Sequence, residues 1–144
     1  MASTRRRPLA PGVVGGLHAL CLDNDSAILD GMAALLTRWQ MTCDICINVE
    51  EAKNAIARRR PDIMLVDYHL GEVLDGLDAL DVLRGGCALP PPGALITADA
   101  GSELKAHARE RGYALLRKPV KPAALRALIA QLGGAGANIA QPAA

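Results

Sequence analysis

Apolar residues along this chain fall into two alternating patterns, short unbroken runs and longer stretches with spacings of three and four. The clearest run is 63–66, Ile-Met-Leu-Val, bounded by Pro61 and closed by Asp67. A run that short, without alternation, fits a strand buried on both faces in a parallel sheet covered by helices. Residues 17–23 form a similar run that again ends in acid, and 42–48, 93–97 and 114–118 complete five predicted strands.

Helical spacing fills the gaps between them. In 27–39 the residues Ile28, Leu29, Met32, Leu35, Leu36 and Trp39 recur at threes and fours, after helix-start chemistry at Asn24, Asp25 and Ser26. Residues 49–60 form a second helix that Pro61 stops, 74–83 a third with Leu77, Leu80 and Leu83 on one face, and 123–132 the last. Residues 102–111, started by Ser102 as cap, hold few large apolar side chains and predict the most weakly packed helix. Strands alternating with helices define an α/β fold with a parallel sheet, since parallel crossovers need intervening helices.

Length limits the chain to one ordinary domain, at 144 residues. Residues 17–132 form that domain, with a linker or tag at 1–16 and a disordered tail at 133–144 expected from Arg, Pro, Gly and Ala content. With a net charge of +1 and only Trp39, Tyr68 and Tyr113 as aromatics, neither bulk charge nor a base-stacking surface argues for direct nucleic-acid binding. No membrane-length apolar run or secretory signal is present, so a cytoplasmic location is expected. Cys43 and Cys46 lie three apart in a predicted strand and so point to opposite faces; with no second Cys/His pair, all four cysteines are read as buried reduced thiols.

Four of the predicted strands deliver a polar group at the same sheet edge: Asp23 with Asn24 and Asp25, then Asp67, Thr97 and Lys118. That edge is where open α/β sheets bind ligands. Carboxylates with a hydroxyl and an ammonium suit a hard cation and a phosphoryl group, with Mg²⁺ favoured by the oxygen donors and Asp67 as a carboxylate nucleophile. Any one of these residues alone has an ordinary structural reading, since an Asp near a helix start is a common cap.

Leu22-Asp23-Asn24-Asp25, Leu65-Val66-Asp67, Asp75-Gly76-Leu77, Ile96-Thr97-Ala98 and Lys118-Pro119, with their separations, resemble the receiver domains of bacterial response regulators. The resemblance implies a flavodoxin-like receiver domain with five helices on both faces of a five-stranded parallel sheet of order 2-1-3-4-5. It also implies that Asp67 is the phosphoacceptor for a sensor histidine kinase or phosphotransfer protein. Mg²⁺ would be held by Asp23, Asn24, Asp67 and the backbone carbonyl of His69, and Thr97 and Lys118 would engage the phosphoryl group. The Lys118-Pro119 peptide would be cis. The expected role is a signalling switch that takes a phosphoryl group from phosphohistidine or small phosphodonors and presents a changed face, from fourth helix to fifth, to an output partner. Such a domain stands alone or forms part of a longer chain such as a hybrid histidine kinase.

Three departures from the family stand out. Asn24 occupies a position that usually holds a second acid, which predicts weaker Mg²⁺ binding. The loop after Asp67 lacks the usual proline and is one residue longer. Leu115 stands where the family often has a switching aromatic, and Tyr113, although near, is read as out of register with it.

Two alternatives follow from the same residues. A pseudo-receiver, a binding module that never carries phosphate, draws support from Asn24. A haloacid-dehalogenase-like phosphatase would use Asp23 and Asp25 as its Asp-x-Asp pair, but that family needs a further acidic motif after its lysine and no Asp or Glu follows Glu110.

Overall fold

The computed structural model describes residues 13–98 and 101–139, with side chains as far as residue 134. Strands β1 (His18–Leu22), β2 (Thr42–Cys46), β3 (Ile63–Asp67), β4 (Gly93–Thr97) and β5 (Ala114–Arg117) alternate with α1 (Ser26–Arg38), α2 (Val49–Arg58), α3 (Gly76–Gly85), α4 (Ser102–Glu110) and α5 (Pro122–Ile139). All ladders are parallel, in the order β2-β1-β3-β4-β5. This is the doubly wound, flavodoxin-like arrangement that the alternation predicts, with the strand order reversing between β1 and β3.

The two faces of the sheet are packed by different helices. Leu20, Leu22, Met64, Val66 and Leu95 face a cluster completed by α2, α3 and Ala108 of α4. Their alternates Ala19, Cys21, Ile63, Leu65 and Ile96 face Leu29 and Leu36 of α1 and Leu125 and Ile129 of α5. Every residue of β1, β3 and β4 is buried, which is why those strands read as continuous apolar runs. The edge strand β2 is stitched to β1 by buried His18, whose Nδ1 lies 2.7 Å from Thr42 Oγ1 and Nε2 3.0 Å from Asp44 Oδ2.

Several local expectations change. Ser102 does not cap α4; it is the first helical residue, the N-cap is Gly101, and no side chain caps that end. Helix α3 begins at Gly76, because Asp75 takes the N-cap and accepts the Asp78 N–H at 2.9 Å. Ile28 is exposed, whereas Leu29 and Leu36 carry the buried face of α1.

Both predicted tails also shorten. Val14 is buried in the core, and Leu17 N–H donates to its carbonyl at 3.1 Å. At the other end α5 continues past Leu132 to Ile139, through the first seven residues of the expected tail. Its Gly133 lies so close to Leu17 that a Cβ there would stand 2.9 Å from Leu17 Cδ1. That packing offsets the roughly 1 kcal/mol that a glycine costs inside a helix. The remaining tail positions, 1–12 and 140–144, lie outside the described residues.

All four cysteines are free. Cys46 and Cys43 face opposite sides of the sheet, as their spacing requires. Burial pushes the thiols of Cys21 and Cys43 up, and that of Cys46 up to about 11, so they stay protonated. Cys43 and Cys87 are only half-buried, and Cys87 points its Sγ at the Leu83 carbonyl, 3.4 Å away.

Candidate functional site

The ladder hydrogen bonds run past the formal ends of the strands and hold the site residues at one edge. Asp23 N–H donates to Cys46 O at 3.1 Å, Tyr68 N–H to Ile96 O at 2.9 Å, and Lys118 N–H to Thr97 O at 2.9 Å. The four polar strand ends are therefore set by backbone pairing before any side-chain interaction is counted.

Asp67 and Asp23 are both buried, 4% and 6% exposed, and Lys118 reaches between them. Its Nζ lies 2.6 Å from Asp67 Oδ1 and 3.9 Å from Asp23 Oδ2. The remaining carboxylate oxygens are held by backbone: Asp67 Oδ2 accepts the His69 N–H at 3.0 Å, and Asp23 Oδ1 accepts the Asp25 N–H at 2.9 Å. Among the described residues the Lys118 ammonium is the one partner of Asp67 Oδ1. An oxygen so placed has lone pairs available to an incoming electrophile.

Burial dominates the acidity of Asp23 and pushes its carboxyl up; the Asp25 N–H pulls it down, the charge of Asp67 pushes it up again, and Lys118 pulls it down. The net direction means that the fold holds an anion there at a cost. Thr97, at the end of β4, is completely buried beside this pair of strand ends. The Lys118-Pro119 peptide is cis.

These groups open into a cleft of about 530 Å³ whose outer wall is the β3–α3 loop, residues 68–75. Gly76 closes the floor of that loop. Its N–H donates to Tyr68 O at 2.8 Å, and a Cβ in its place would stand 2.5 Å from Asp67 O and 2.7 Å from both Tyr68 Cα and Leu95 Cδ1. Only glycine allows the start of α3 to pass so close to the residue that carries the site.

The other predicted positions sit at the rim. Asn24 is exposed, with its Nδ2 against Gly71. His69 is exposed and its ring meets the Tyr68 ring edge-on, with centroids 4.8 Å apart. Asp25 is committed to capping α1, accepting the Ala27 and Ile28 N–H groups at 3.0 and 3.4 Å.

Among the described residues no three His, Cys, Asp or Glu side chains come together as a ready-made metal site. The donor set of the cleft is nonetheless one that fits a hard divalent cation. Asp23 and Asp67 supply two buried carboxylates with one ammonium to balance them, an amide oxygen stands at the rim, and no thiol is among the lining groups.

Tyr113 departs from expectation. It shares the face of Leu115, both packing on the cluster beneath α2, α3 and α4, as residues two apart in extended chain must. Its ring is nevertheless fixed away from the site. The hydroxyl donates to Asp81 of α3, the Arg84 guanidinium lies 5.5 Å from its centroid, and Arg111 pairs with Asp81 at 2.9 Å. None of these partners is evident from local sequence pattern.

A five-stranded parallel sheet of order β2-β1-β3-β4-β5 that carries an acid pair and a lysine to its C-terminal edge is the receiver arrangement. Residues 19–130 match the response regulator receiver domain, and the chain belongs to that family of two-component signalling. No curated protein sequence matches significantly.

Solved structures agree in fold. The chain is similar to chemotaxis protein CheY4 of Vibrio cholerae, with 19% identity, a TM-score of 0.73, and coverage of 81% of this chain and 98% of that one. The receiver domain of Francisella response regulator 1452 matches with 21% identity, a TM-score of 0.73 and coverage of 82% and 97%. NtrX of Brucella abortus, solved in complex with ATP, matches with 25% identity and a TM-score of 0.73 over 86% of this chain and 28% of its own. Receiver domains generally bind Mg²⁺ at the acidic phosphorylation site. Among the described residues no helix is long and apolar enough to cross a membrane.

Proposed function

We propose that this receiver is active, with Asp67 as the phosphoacceptor. The observation that carries this reading is the Asp67–Lys118 contact, which pairs a buried carboxylate with an ammonium at the mouth of a cleft. In the transfer the donor N–P bond of a phosphohistidine breaks as a bond forms from Asp67 oxygen to phosphorus, and the electron pair leaves with the imidazole. The product is an acyl phosphate. Lys118 balances the charge that arrives with the phosphoryl oxygens, and Thr97 offers a hydroxyl to one of them.

Asp23, Asn24, Asp67 and the His69 carbonyl are the groups that would hold Mg²⁺, which when bound supplies charge neutralisation at the phosphoryl oxygens. Burial fits Asp23 for this task, since a cation relieves the cost of ionising it.

The donor is a sensor histidine kinase or a phosphotransfer protein in a cytoplasmic phosphorelay, and the domain stands alone or forms part of a longer chain such as a hybrid kinase. The output face is a groove of about 530 Å³ between α4 and β5, with Lys105 and Arg109 on its rim and Tyr113 and Leu115 in its wall.

The exposed Asn24 favours a second reading, a pseudo-receiver that takes no phosphate. A phosphatase mechanism would need Asp25 as acid or base, and that carboxylate is occupied as the α1 cap. Intact-mass measurement after incubation with Mg²⁺ and a small phosphodonor separates the two receiver readings. An active receiver gains one phosphoryl group that Asp67→Asn does not, and an unmodified wild type would leave the pseudo-receiver.

A further inference from the structure

Two clefts of about 530 Å³ open on this domain, and their charges are opposite. The one that holds Asp67 is lined by five carboxylates and a single ammonium, that of Lys118. The groove between α4 and β5 is lined by Lys105 and Arg109 and by no acid. The contrast is written in the sequence: residues 102–132 hold seven Lys and Arg against Glu103 and Glu110, and no acid follows Glu110. Neither glutamate lines the groove.

The groove exists because α4 is poor in large side chains, Ala108 being its one buried residue. Ser102, Lys105, Ala106 and Arg109 follow the spacing that places residues on one face of a helix, so both cations stand on the same rim. Across from them Tyr113 and Leu115 form an apolar wall, and Arg117, two residues further along β5, continues that face. Asp81 and the Arg84 guanidinium hold Tyr113 in place, so the wall is preformed.

Lys105, Arg109 and Arg117 are exposed, and among the described residues none of them pairs with a carboxylate. Arg111 differs, being committed to Asp78 and Asp81. A partner therefore meets three cations without breaking an ion pair to reach them.

We infer that the α4–β5 groove docks a short acidic segment of a partner protein, with an apolar side chain against Leu115 and the edge of Tyr113 and carboxylates on Lys105, Arg109 and Arg117. This rests on the reading of that groove as the output face and names the chemistry it selects. The carboxylates around Asp67 repel the same segment, which directs it to the groove. A nucleic acid would meet the cations but find no ring to stack on, because Tyr113 is buried and carries Arg84 over its ring.

The test is an amide NMR titration of the full chain with a synthetic peptide of Glu and Asp around a central Leu. Two matched peptides accompany it, one with Gln and Asn for the acids and one with Gly for the Leu. The groove is open without a phosphoryl group, so the result does not depend on Asp67. We expect the acidic peptide to move the Lys105, Arg109 and Leu115 amides, and both matched peptides to bind about ten-fold more weakly. Lys105→Gln combined with Arg109→Gln should cost the acidic peptide a similar factor, and Lys53→Gln on α2 should leave it unchanged.

Equal affinity of the acidic and neutral peptides for the groove would overturn the acid preference and leave the output face standing. Equal affinity without the Leu would reduce the contact to unspecific charge and overturn the docking. A DNA duplex that moves the same amides at lower concentration would overturn the peptide in favour of nucleic acid. Groove amides unmoved by every peptide would overturn the output-face reading as well.

Discussion

Lys118 Nζ lies 2.6 Å from Asp67 Oδ1, close enough that the ammonium and the proposed acceptor form one electrostatic unit. The same ammonium is 3.9 Å from Asp23 Oδ2, so a single cation balances two buried carboxylates. Removing it in Lys118→Met leaves both anions without compensation. We expect a loss of roughly 1–3 kcal/mol in the metal-free protein, largely recovered by millimolar Mg²⁺, in urea unfolding with and without the ion. Equal losses in both conditions would show that cation and lysine do not share this site.

Asp23 provides a pH test. Because burial raises its carboxyl, the folded state binds that proton more tightly than the unfolded chain does, so the stability linked to Asp23 is present in acid and lost as pH rises through the folded value. Asp23→Asn keeps an oxygen for the Asp25 N–H and removes the charge. It should be more stable than wild type at neutral pH, with the difference vanishing below the carboxylate range. Denaturant midpoints at the two pH values check this, and a mutant less stable at neutral pH would contradict it.

Gly76 tests how tightly the scaffold holds Asp67. Gly76→Ala forces a Cβ to within 2.5 Å of Asp67 O, and we expect a loss of about 1–3 kcal/mol or more together with impaired phosphoryl uptake. Gly85→Ala, with nothing within 4 Å of its Cβ at the end of the same helix, should be neutral or slightly stabilising. Similar losses in the two variants, by thermal melting, would refute the close-packing explanation.

Tyr113 joins the start of β5 to α3, and Tyr113→Phe should cost about 1 kcal/mol through loss of its bond to Asp81. Burial first, and Asp81 second, push the phenol up to about 12. The advantage of tyrosine over phenylalanine is therefore full below the ordinary tyrosine value and shrinks as pH rises through about 12. An advantage that persists unchanged through that alkaline range would count against the contact.

Much of the fold was legible because β1, β3 and β4 are buried on both faces, so their burial is written directly as apolar runs. The polar residues that end them, Asp23, Asp67 and Thr97, could be placed at one edge because parallel strands share a direction. The contacts of Tyr113 were not legible, since Asp81 is 32 residues away and its helix face is set by packing. The length of α5 was hidden for the opposite reason: Gly133 and Gly134 signal an end, and only the contact with Leu17 explains the place of Gly133 in the helix.

The most direct measurement is to locate the phosphoryl group itself. Protein incubated with Mg²⁺ and a small phosphodonor is reduced with borohydride, which converts an aspartyl phosphate to homoserine, then digested and sequenced by mass spectrometry. The account predicts homoserine at position 67 and unmodified aspartate at 23 and 25. Homoserine at either of those positions, or at none, would contradict it.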